Sequence, residues 1–322
     1  MSDKNFLYAV AVIRANEAAL LKDADLEQLI NAPDYKKAIS ILTEKGYSEP
    51  QGTDYSAMLD GELGKVWEFV TDNAPEADGL NALVVKNDFQ NLKAILKAEV
   101  MGENANEFLV KPSVIDADEL FEKVSERRFE ELPEFISDAA KKAYDTITKT
   151  GNGQMCDIIV DEAALKAICG FAEKSGEELI KEYADIFCLS TDIKTAYRCM
   201  KTKKGKSFIE AALCACNLVD ENELAAAAVE GEEAFFDFLK SKNLADYAAA
   251  LEKGASVFEK FCDDKLIAVM KKAKMTAFGL SPVSAYFIAK ETEIKCLRII
   301  LSAKLSNASN DVIRERMREL YV

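Results

Sequence analysis

Apolar residues recur every three or four positions along most of this chain, the spacing that puts them on one face of an α-helix. Strict alternation, the mark of a half-buried strand, is almost missing. Only 6 prolines interrupt the 322 residues. Ala, Leu, Glu and Lys, good helix formers, fill the periodic stretches. Helix starts are marked by side chains able to accept backbone N–H groups. Asp116 with Glu119, and Asp220 with Glu223, have the spacing of a capping box. Asp161 is expected to open another helix, and Ser281 with Pro282 a long one reaching about Leu305. Breaks are expected at 46–52, 73–78, 102–112, 150–154, 202–205 and 306–310, where Gly, Asn, Ser and Pro collect. CDIIV at 156–160 is the one place where β-branched residues cluster, and a short strand is possible there. The fold class expected is all-α.

A short phrase occurs once in each third of the chain. It reads DFQNLKAILKA at 88–98, LSTDIKTAYRC at 189–199 and KETEIKCLRII at 290–300. Lys93, Lys194 and Lys295 align at steps of 101 residues. Each lysine follows a large aliphatic residue, and before that stands an acid or amide: Asn91, Asp192 or Glu293. Such a period predicts one folding unit used three times, over residues 1–105, 106–207 and 208–322. In the third copy Ile294, Leu297, Leu301 and Leu305 make one apolar face. Glu291 and Lys295 are spaced i,i+4, and Arg298 follows. An ordinary amphipathic helix with a solvated flank accounts for that copy alone. Recurrence favours a polar head buried at a junction between helices. The candidate junction residues are Asp88, Asn91, Lys93, Asp192, Lys194, Arg198, Glu291, Glu293, Lys295 and Arg298.

Charge and composition narrow the function classes. Hydrophobic residues make up 49% of the chain, enough for sizeable cores. The net charge of −15 opposes phosphate backbones and anionic lipid heads, which argues against nucleic-acid binding. There are 0 histidines, so the commonest general base and metal ligand is missing. The 8 cysteines include no CxxC pair. Cys214 and Cys216 fall in a segment that reads as helix, about 200° apart around it, a poor shared metal site. The opening MSDKNFLYAV lacks a secretory pattern, so free thiols in a reduced cytosol are expected. No stretch approaches the roughly 18 apolar residues of a membrane span.

Other chemical motifs are incomplete. Gly205-Lys206-Ser207 ends like a P-loop, but position 200 is Met where the motif needs Gly. Gly151-Asn152-Gly153 is followed by Cys156, not by the third glycine of a dinucleotide fingerprint. Asp157 with Asp161 lacks further ligands, and Asp263-Asp264 reads as a solvated helix end. Lys201, Lys203, Lys204 and Lys206 form the densest basic cluster, a solvated loop or a docking spot for an acidic partner. No cofactor is implied.

The last 45 residues carry a more specific pattern: Phe278, Gly279, Pro282, Tyr286, Lys290, Glu291, Glu293, Ile294, Arg298, Lys304, Ile313, Arg314 and terminal Tyr321-Val322. Tyr8-Ala9, Arg14, Leu20-Leu21, Leu29, Leu42 and Gly46-Tyr47 support it at the start. Asp88, Asn91-Leu92-Lys93, Asp157-Ile158, Asp161, Asp192-Ile193-Lys194 and Arg198 do so in the middle. Over its full length the chain resembles the C subunit of the V-type/A-type ATP synthase, a family that includes the d subunit of the eukaryotic vacuolar ATPase. The resemblance implies three similar helical units in a pseudo-threefold funnel. It implies a non-catalytic rotor part on the cytoplasmic face of the proteolipid ring. That part would receive the central stalk and pass torque between ATP turnover and proton or sodium transport. The alternatives are a generic α-helical repeat scaffold for another protein and an enzyme working through carboxylates or a thiol. Copurification with a ring and stalk separates adaptor from scaffold, and trapping a reactive thiolate would favour the enzyme.

Overall fold

A computed structural model describes residues 6–74, 78–214 and 216–322. Helix accounts for 77% of the described residues, and none of them lies in a strand. The first helices are α1 (Leu7–Glu17), α2 (Asp23–Ile30), α3 (Tyr35–Glu44) and α4 (Tyr55–Asn73). Next come α5 (Asn81–Met101), α6 (Ala117–Ser125), α7 (Glu134–Thr150) and α8 (Gly153–Ser175). They are followed by α9 (Glu178–Lys201), α10 (Lys206–Ala212), α11 (Glu221–Glu230) and α12 (Glu232–Ser241). The chain ends with α13 (Ala245–Glu252), α14 (Ala255–Lys271), α15 (Ser281–Leu305) and α16 (Asn310–Arg316). Two compact units result, one from residues 1–77 with 249–322 and one from 78–248.

In the first unit α15 is the centre, and α1, α2, α3, α4, α14 and α16 pack on it. Every residue from Ser281 to Ala289 is buried. A helix enclosed on all sides has no solvent face, so its amphipathic pattern fades there. Pro282 sits in the first turn, where its missing N–H breaks no helical bond. Trp67 and Phe69 of α4 meet Phe287 and Tyr286 edge-on, with ring centroids 5.0 and 6.1 Å apart. Such pairs add about 0.5–1.5 kcal/mol each beyond the area they bury.

In the second unit α8 is central, contacted by α5, α7, α9 and α10. Phe135 of α7 packs between Phe89 of α5 and Phe171 of α8, at 6.2 and 5.3 Å. The CDIIV run, where the sequence allows a short strand, is helical. It lies inside α8, where Cys156 and Val160 are fully buried. Burial, rather than pairing in a sheet, explains its apolar run, and tertiary packing overrides β-propensity. Asp161 lies mid-helix and opens nothing. Gly151, at φ 64°, ends α7, and Asn152 caps α8 by accepting the Met155 N–H at 3.0 Å. Asp116 and Asp220 do cap α6 and α11. The segment at Cys214 is not helix, because α10 stops at Ala212. Residue 215, residues 75–77 of the expected break at 73–78, and the first five residues of the N-terminal stretch lie outside the described residues.

Candidate functional site

Lys93, Lys194 and Lys295 lie one each in α5, α9 and α15, helices of 21, 24 and 25 residues. Two positions earlier, Asn91, Asp192 and Glu293 are all buried. Each accepts a backbone N–H from a loop that leads into a short helix. Val110 N–H donates to Asn91 Oδ1 at 2.7 Å, and Asn91 Nδ2 returns a bond to Val110 O at 3.0 Å. Cys214 N–H donates to Asp192 Oδ1 at 3.1 Å. Leu21 N–H donates to Glu293 Oε2 at 2.6 Å. The helices that follow these loops are α6, α11 and α2. A loop pressed against a helix loses water at its amides, and a polar side chain on that helix replaces it.

The three junctions differ in their electrostatics. The first has a second pin: Asp88 accepts Val114 N–H and Ile115 N–H at 2.9 and 2.7 Å, and Asn87 donates to Pro112 O at 2.7 Å. Burial pushes the Asp88 carboxyl up to about 6, against the pull of those two N–H bonds. Burial pushes Asp192 up to about 7, opposed by the Cys214 N–H. In the third junction a cation is present. Lys290, one turn before Glu293, pairs with it and donates to Tyr47 Oη at 2.8 Å. The ammonium stands 4.5 Å from the Tyr47 ring centroid. Tyr47 Oη also donates to Glu293 Oε1. Burial, then the Glu293 charge, pushes the Tyr47 phenol up, so it stays a neutral donor.

The lysines of the phrase reach sideways to neighbouring helices. Lys93 pairs with Asp161 and Lys97 with Asp157, both at 2.6 Å, tying α5 to α8. Lys295 pairs with Asp263 of α14 at 3.1 Å. Asp263 also accepts Arg318 Nε at 2.8 Å, and Asp264 accepts the Glu319 N–H at 2.7 Å. The Asp263-Asp264 pair is therefore a socket for the C-terminal segment, not the solvated helix end expected. Among the described residues no group of three or more Cys, Asp or Glu could hold a metal ion. Arg298 pairs with Asp60 and reaches Ser56 Oγ at 3.4 Å. Glu291 and Lys194 are half-buried, and Arg198 is exposed near the end of α9.

Lys201, Lys203, Lys204 and Lys206 surround the end of α9. Lys201 pairs with Glu232 at 2.6 Å, and Lys206 pairs with Glu210 at 3.4 Å. Lys204 donates to Gln154 Oε1 at 2.9 Å. Lys203 is exposed at φ 54°, in the turn that ends the helix. Internal acids thus offset part of the basic charge. Sequence reasoning did not assign two cations that hold main-chain carbonyls. Lys304 donates to Ile30 O and Ala32 O at 2.6 and 2.7 Å, closing the end of α2. Arg14 donates to Ala273 O and Thr276 O at 2.6 and 3.1 Å. Their acceptors are backbone atoms far off in sequence, which no side-chain pattern marks.

Residues 9–316 match the family model described as ATP synthase (C/AC39) subunit. The chain belongs to this family. It is 24% identical to the C subunit of the V-type sodium ATPase of Enterococcus hirae, covering 96% of this chain and 97% of that protein. It is 21% identical to the C subunit of the A-type ATP synthase of Methanocaldococcus jannaschii, over 98% of this chain and 86% of that one. The A-type counterpart from Haloquadratum walsbyi is 22% identical over 98% and 99%. C/AC39 subunits are non-catalytic parts of rotary ATPases, so the partners of this chain are other subunits of such a complex. Among the described residues no helix is long and apolar enough to cross a membrane.

Proposed function

We propose that this C/AC39 protein is the central-rotor adaptor of a V/A-type ATPase. It sits on the cytoplasmic face of the proteolipid ring, receives the central stalk and passes torque between ATP turnover and proton or sodium transport. The observation that carries this reading is the family match over residues 9–316, nearly the whole chain. The three pinned junctions support it physically. A part that passes torque must resist shear between its helices, and buried bonds from helix to loop resist it better than exposed ion pairs do.

We further propose that residues 1–105, 106–207 and 208–322 are three versions of one unit, arranged as a pseudo-threefold funnel. Lys22, Asp116 and Asp220 each stand at the N-cap of the short helix after a pinned loop. Leu26, Leu120 and Leu224 are each buried four residues on. These correspondences support a common unit.

Depletion of the protein from membranes that carry the complex tests the adaptor role. ATP hydrolysis by the soluble head is expected to persist while ATP-driven ion uptake into vesicles is lost, and adding the purified chain back restores uptake. Ion uptake that continues at full rate without the chain would exclude the role.

A further inference from the structure

All eight cysteines lie between residues 156 and 296, and Cys169 of α8 and Cys188 of α9 face each other with sulfurs 3.4 Å apart. We propose that Cys169 and Cys188 form a reversible thiol–disulfide site that staples α8 to α9. Three observations single out this pair. The sulfurs are already in van der Waals contact across two adjacent helices of one unit, so closing the bond needs a shift of little more than an ångström. Cys169 is only half-buried, whereas Cys188 is fully buried. A reagent therefore meets Cys169 first, with Cys188 behind it as the resolving thiol. The Cys188 thiol, hydrogen-bonded to Cys169, holds the latter below its ordinary value, while the same contact and burial push Cys188 up. Asp185 and Glu173 oppose ionisation of Cys169, and Cys214 and Asp192 oppose that of Cys188.

The oxidant is a low-molecular-weight disulfide. The Cys169 thiolate attacks one of its sulfurs, forms a mixed disulfide and releases one small thiol. Cys188 then gives up its proton and attacks Cys169 Sγ, expelling the second small thiol. Two protein thiols and one small disulfide become one protein disulfide and two small thiols, and a reducing dithiol reverses the exchange. The staple lies one turn from Asp192, which holds the Cys214 N–H. It therefore fixes α9 at the junction that pins the loop before α11.

The test uses the full chain, purified under reduction and then incubated with oxidised glutathione at mildly alkaline pH. Denatured thiol titration is expected to fall from eight to about six, with a peptide map joining Cys169 to Cys188 and dithiothreitol restoring all eight. The Cys188→Ala variant is expected to stop at a glutathione adduct on Cys169, and Cys169→Ser to take up no glutathione at this site. An unchanged thiol count, a lasting adduct on Cys169 in the parent chain, or a bridge through any other cysteine overturns the proposal.

Discussion

A carboxylate with 1% of its surface exposed is tolerated only when its oxygens are claimed. Glu293 satisfies this with the Leu21 N–H, the Tyr47 hydroxyl and the Lys290 ammonium. Glu293→Ala leaves Lys290 without its counter-charge and the Leu21 amide unpaired, and is expected to cost about 3–5 kcal/mol in urea unfolding. Glu291→Ala, at a half-buried position of the same helix, is expected to cost clearly less. Equal losses would show that burial at this junction is not what matters. Asp88 and Asp192 carry a pH dependence instead. Both folded values, about 6 and about 7, lie above the unfolded value near 4. The folded state thus binds more protons across that window. Their contribution is fully present below about pH 4 and is lost as pH rises through 6 and 7. Urea midpoints are expected to rise as pH falls from 8 to about 5.5. Asp88→Asn or Asp192→Asn is expected to flatten the slope by up to about 1.4 kcal/mol per pH unit. A slope that survives both substitutions would place its origin in other groups.

At the scale of elements, long helices and their caps are legible where local chemistry decides them. Asp116 and Asp220 cap as their spacing suggests, and Asp116→Ala is expected to cost about 1 kcal/mol in thermal or urea unfolding. CDIIV, Asp161 and the segment at Cys214 depart from expectation for one common reason: their state is set by neighbours distant in sequence. Val160 is buried within α8, Asp161 pairs with Lys93, and the Cys214 N–H goes to Asp192. The polar head before each Leu/Ile-Lys step is visible in sequence. The loop that Glu293 grips is not, because Leu21 lies 272 residues away from it. The end of α9 is our candidate docking element. Neutralising Lys201, Lys203, Lys204 and Lys206 together is expected to weaken assembly into the complex most at low salt, where screening is least. Assembly measured by sedimentation at two ionic strengths checks this, and equal assembly of parent and variant would leave the cluster a solvated loop.

For the whole molecule, the sequence period and the packing answer different questions. The phrase repeats every 101 residues, whereas packing divides the chain into residues 1–77 with 249–322 and residues 78–248. The first unit draws on both ends of the chain because α15 pins the loop before α2 and Lys304 closes the end of that helix. Removing the last turns of α15 is therefore expected to destabilise the N-terminal helices, seen as lost amide-exchange protection in α2 and α3. The proposed function turns on the place of the chain in the rotor. Electron cryo-microscopy of the intact complex, isolated through a tag on this protein, tests it most directly. The chain is expected between proteolipid ring and central stalk, in contact with both and turning with the stalk across rotational states. Density for the chain on a peripheral stalk, or fixed while the central stalk turns, would contradict it.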